Sequence, residues 1–139
     1  MESSADVARV GVVLRADQLD PSEVSQALGI EATRAFSKGE LSAGKRAPRP
    51  WGLWTLEVED ADVERAARRL LSLLADKRGP LDQVARRFHA TVSVSIWWEP
   101  DGGQGGYTLS SATLAELATL GERIDFYFAS AEDSGSASG

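Results

Sequence analysis

Cysteine is absent from the 139 residues, and histidine and methionine occur once each. Without cysteine there are no disulfides, thiol nucleophiles, thiolate metal sites or iron–sulfur clusters, and the composition suits a reducing compartment such as the cytoplasm. The single histidine, His89, has no serine, aspartate or second histidine beside it in sequence. A hydrolase triad would rest on it alone, and a metal site could draw on one imidazole at most. The acidic run Glu57-Val-Glu-Asp-Ala-Asp62 lacks the calcium-loop pattern and suits the start of a helix, where carboxylates are favoured. No catalytic residue, metal site or cofactor is therefore expected, and the chain reads as a non-enzyme.

Long apolar runs are missing too. Nowhere do about 18 apolar residues follow one another, so no membrane span is expected. The start, Met1-Glu-Ser-Ser-Ala-Asp, has neither a basic segment nor an apolar run, so no secretory signal is expected. Positive charge is scarce overall: 15 lysines and arginines face 21 acids, a net charge of −6. Nucleic-acid binding needs a basic footprint and is not expected. The charge is uneven, however. Arg34, Lys38, Lys45, Arg46 and Arg49 stand against one acid, Glu40, between positions 34 and 49. Such a reversal attracts an anion or an acidic partner; a solvated loop is the plainer alternative. Arginine far exceeds lysine and alanine is abundant, which points to a GC-rich bacterial source.

What remains is the composition of one globular domain, placed at 8–129, with 1–7 and 130–139 expected as flexible tails. Arg9 to Arg15 alternates as a strand. Asp20-Pro-Ser-Glu23 combines an N-cap acid, a proline at the first helical position and an early carboxylate, so a helix starts there and ends at Gly29. An edge strand is expected within Ile30–Gly39, a loop over Leu41–Pro50, and a strand over Gly52–Glu59. Asp60-Ala-Asp62 opens a long helix that Gly79-Pro80 breaks before a second apolar stripe. Ala90–Glu99 alternates Val92, Val94, Ile96 and Trp98 against Thr91, Ser93, Ser95 and Trp97. A short strand at Tyr107–Leu109, a helix capped by Ser110 or Ser111, and a strand over Arg123–Phe128 with Ile124, Phe126 and Phe128 facing inward complete the pattern. Clean alternation implies a sheet covered on one side only. The fold class is α+β, a mainly antiparallel sheet with helices on one face, in a ferredoxin-like split βαβ arrangement with additions.

Two features point to a surface. The four tryptophans cluster as Trp51, Trp54, Trp97 and Trp98. Alternation sends Trp54 and Trp98 to the core, leaves Trp97 on the polar face and puts Trp51 at a strand mouth. An indole on a polar face marks a contact surface, or else lies under a loop of its own chain. Val13, Leu53, Tyr127, Glu57 and Asp125 are placed on that face with it. The segment Asp101-Gly-Gly-Gln-Gly-Gly106 matches neither phosphate-binding glycine motif, but it allows close backbone approach as well as a simple turn. The candidate binding set is Arg34, Lys38, Trp51, Trp97, Gly103, Gln104 and Gly105.

Four phrases taken together resemble a bacterial family, the domain of unknown function 4279. They are Leu28-Gly29-Ile30-x-x-Thr33-Arg34-x-Phe36-x-Lys38-Gly39, Gly52-Leu53-Trp54-x-Leu56, Gly102-Gly-Gln-Gly-Gly-Tyr107 and Leu120-Gly121-x-x-Ile124-Asp125-Phe126. The resemblance implies an intracellular α+β domain with no established activity, and some members look like immunity proteins of bacterial toxin systems. The expected function is thus a binding domain for a protein partner, a toxin in its most specific form. The competing expectations are a sensor or enzyme for an anionic small molecule, with Arg34, Lys38 and Gln104 converging on one pocket, and a homodimer packed through Trp97.

Overall fold

The computed structural model describes residues 6–41, 47–103 and 105–129. The chain runs β1 (Val7–Ala16), α1 (Pro21–Leu28), β2 (Arg34–Phe36), β3 (Gly52–Asp60), α2 (Val63–Leu74), α3 (Arg78–Phe88), β4 (Thr91–Glu99), a turn of 3₁₀ helix (Asp101–Gly103), α4 (Ser111–Ala118) and β5 (Arg123–Phe128). The five strands form one sheet in the order β2-β3-β1-β4-β5. Every pair is antiparallel except β4 with β5. The class is α+β with a mostly antiparallel sheet, as the alternation of the strands implies. No helix among the described residues is long and apolar enough to cross a membrane.

The helices start where the local chemistry puts them. Asp20 accepts from the Ser22 backbone N–H, Pro21 opens α1, and Gly29 closes it in the left-handed conformation. Asp62 caps α2 by accepting from the Arg65 N–H, and Ser110 caps α4 through Thr113. The core lies between the sheet and these helices. Val10, Val12 and Leu14 of β1, Val94 and Ile96 of β4, and Leu70 and Leu74 of α2 are all fully buried there. Trp54 is buried as well, and its indole N–H donates to Ser25 Oγ across 3.0 Å, which satisfies the one polar atom the ring carries inside.

Four expectations need correction. Gly79-Pro80 does not break the long helix: α2 ends at Leu74, and the pair sits in the first turn of α3, where a proline has no backbone bond to forfeit. Tyr107–Leu109 is not a strand. Asp6 and Val7 are not frayed, since Val7 opens β1 and Asp6 accepts from the Asp101 N–H at 2.8 Å; residues 1–5 and 130–139, expected as tails, lie outside the described residues. Phe126 and Phe128 do pair with Ile96 and Trp98, but they are 56% and 58% exposed. β5 is an edge strand, so its inward-facing register does not bring cover.

Candidate functional site

One side of the sheet carries no helix. Cross-strand partners share a face, so the register lays this side out as a grid. Glu59, Arg9, Trp97 and Tyr127 form one row; Glu57, Gly11, Ser95 and Asp125 the next; then Arg34, Thr55, Val13, Ser93 and Arg123; and last Phe36, Leu53, Arg15 and Thr91. Small residues occupy the middle and longer ones most of the rim. The face is therefore concave. Gly11 matters most to that shape, because a Cβ built there would lie 2.7 Å from both the Glu57 Cγ and the Leu56 carbonyl oxygen. Glu57 lies across the space a larger residue would fill.

A concavity of about 400 Å³ occupies this face, lined by Arg9, Arg34, Thr55, Glu57, Trp97 and Tyr127 among others. A second hollow of about 110 Å³ continues it through Val13, Ser95 and Tyr127 toward Arg123. The first volume lies in the range of small-ligand sites. A larger groove of about 650 Å³ runs between α1 and β2 and shares Arg34, but no aromatic side chain lines it. The open face has the stronger chemistry for recognition.

The charges on this face are almost all spoken for. Arg9 reaches Glu59 at 3.3 Å and lies over the Trp97 ring at 4.4 Å. Arg15 lies 5.1 Å from the Trp51 ring centre, and Arg49 4.1 Å from that of Phe36. Arg123 pairs with Asp125 at 3.1 Å. Such stacks fix guanidinium planes that would otherwise be mobile. Among the described residues, Arg34 and Glu57 have no ion-pair partner, and they line the same concavity without closing on each other. Beside them Thr55, 1% exposed, has a hydroxyl with no hydrogen-bond partner. An unmet buried hydroxyl costs free energy, so it is an unusual thing to find in a wall.

The sequence-derived set separates in three dimensions. Arg34 and Trp97 line one concavity. Trp51, 37% exposed, stands under Arg15. Lys38 is engaged elsewhere: it donates to Asp17 at 2.9 Å and holds that carboxyl below its usual value. Gly103 ends the 3₁₀ turn, and a Cβ on Gly105 would lie 3.4 Å from the Trp98 ring, on the opposite side of the sheet from Trp97. Gln104 lies outside the described residues. Gly105 therefore does not join Trp97, and Lys38 does not join Arg34. The roles of Arg9, Gly11, Thr55 and Arg123 were missed, although the alternation of Arg9, Gly11, Val13 and Arg15 on β1 was a usable sign that four side chains share the uncovered face.

A model for a domain of unknown function (DUF4279) matches residues 8–129, most of the chain. The chain belongs to the DUF4279 family. Neither a search of curated proteins nor a search of solved structures gave a match. In this DUF4279 domain the matched span starts in β1 and ends just past β5, so it contains every strand that builds the open face.

Proposed function

We propose that this DUF4279 domain is a non-enzymatic binding module and that its open sheet face is the surface that binds. The carrying observation is the concavity in which Trp97 and Tyr127 stand at one end and, at the other, Arg34, which has no ion-pair partner among the described residues. Tryptophan, tyrosine and arginine are the side chains that dominate binding energy at protein interfaces. A partner that fits must bring an apolar group to Trp97 and Tyr127 and an anionic group to Arg34. A protein partner does both from one segment, and a bacterial toxin, with this chain as its immunity protein, is the specific form of the reading. The likeness of some family members to immunity proteins supports that form.

The test is sedimentation of the purified protein with toxins encoded beside its gene. A 1:1 complex is expected, lost in Trp97→Ala and Arg34→Gln but kept in Arg86→Gln, a change on α3 where Arg86 pairs with Asp82. A complex insensitive to both open-face changes would place the binding surface elsewhere, and the absence of any complex would end the toxin version.

A further inference from the structure

The concavity is lined by one cation and one anion that have no ion-pair partner among the described residues, Arg34 and Glu57. Thr55 follows from the register: it sits directly opposite Arg34 and two residues before Glu57, on the same face of β3. Its hydroxyl is both buried and unpartnered. A bare anion suits Arg34 but is repelled by Glu57, and a bare cation meets the reverse. A ligand carrying both charges satisfies both groups and gives Thr55 a partner as well. The body of such a ligand then extends toward Trp97 and Tyr127, which line the same concavity.

We infer that this corner of the open face binds a small zwitterion, an amino acid or short peptide with free ends and an apolar side chain. The carboxylate lies against the Arg34 guanidinium and accepts from the Thr55 hydroxyl. The ammonium donates to Glu57, and the apolar side chain packs on Trp97 and Tyr127. Arg34 is exposed and tied by no ion pair among the described residues, so it is free to adjust as a ligand oxygen reaches the hydroxyl of its cross-strand partner Thr55. The inference rests on the open face being the binding surface and does not depend on the partner being a protein.

Calorimetric titration with L-phenylalanine and glycyl-L-phenylalanine tests it, with N-acetyl-L-phenylalanine and L-phenylalaninamide as probes that lack the ammonium and the carboxylate. At least one zwitterion should bind about tenfold or more tightly than its two mono-ionic relatives, as expected for charged hydrogen bonds. Binding of phenylalanine rather than the dipeptide marks a free amino acid as the ligand, and the reverse marks a peptide. Glu57→Gln should erase the preference over the acetylated probe while keeping the preference over the amide, and Arg34→Gln should do the opposite. Thr55→Val, isosteric at the buried position, should weaken both zwitterions while leaving thermal unfolding cooperative. Equal affinity for all four probes, no binding at millimolar concentration, or preferences that survive both charge removals each overturn the inference. A toxin complex that depends on Arg34 and Trp97 would leave the binding-face reading standing even then.

Discussion

Glu57 lies over Gly11, on the neighbouring strand and directly opposite it in register. The contact sets the depth of the concave face, because the carboxylate arm rests where any side chain at position 11 would begin. Gly11→Ala should therefore do two things. It should destabilise the fold by about 1–3 kcal/mol, the usual cost of overpacking, since the Leu56 carbonyl cannot yield as a side chain can. It should also lift Glu57 out of its place. Urea unfolding and the crystal structure of the variant would check both effects; unchanged stability would mean that the strands separate locally at little cost.

Asp60 makes the acid side of the stability curve testable. Its hydrogen bond from Arg65, with the Asp62 N–H in support, holds the carboxyl down at about 2. A group lowered in the folded state stabilises the protein above its ordinary value and loses that contribution as pH falls. Stability tied to Asp60 should accordingly be complete above about pH 4 and vanish as the pH drops through about 2. Asp60→Asn should flatten the fall of stability measured by denaturant titration across that window. An unaltered slope would show that the pairing with Arg65 and Arg69 does not outlast solvation.

Glu64 on α2 caps α4 from outside. It accepts from the Ser110 N–H at 2.9 Å, the Ser110 hydroxyl at 3.1 Å and the buried Thr113 hydroxyl at 2.7 Å, which together keep its carboxyl below the ordinary range. Glu64→Ala should destabilise the fold by stranding those donors, and Glu64→Gln should do so less, because one acceptor oxygen remains. Hydrogen exchange should rise first at the start of α4. Uniform exchange across the chain would instead make α4 part of a single unfolding unit.

His89 ends α3 in the left-handed conformation with φ of 54°. That conformation favours glycine, so His89→Gly should raise stability by about 0.5–1 kcal/mol despite the greater freedom it gives the unfolded chain. A lower melting temperature would indicate that the imidazole itself contributes contacts.

Much of the architecture was written locally. The alternation of β4, the Asp20-Pro21 start and the Gly29 stop of α1 each depend on residues a few positions apart, and all three stand in the structure. What failed depended on neighbours far away in sequence. Phe126 and Phe128 alternate as core residues do, yet nothing in β5 itself states that it is the outermost strand. Trp97 could be assigned to the uncovered face from its own strand, whereas its guanidinium partner, Arg9, is fixed only by the pairing of β1 with β4. The same holds for the site: the proximity of Arg34 to Thr55 is a matter of register between β2 and β3, and a basic stretch read by composition does not separate Arg34, which faces the concavity, from Lys38, which pairs with Asp17.

The concavity takes Arg34 from one border of the sheet and Tyr127 from the other, with Glu57, Arg9 and Trp97 from the three strands between. No fragment of the chain contains it. A molecule bound there ties together two margins that share no direct hydrogen bond, and its binding energy is spread over the whole sheet. Occupancy should consequently slow exchange at β2 and β5 together, even though the two strands sit at opposite ends of the sheet order and are almost ninety residues apart in sequence. The face is a measure of whether the entire domain is assembled, and a chain that has lost either margin would be blind to any molecule that binds across it.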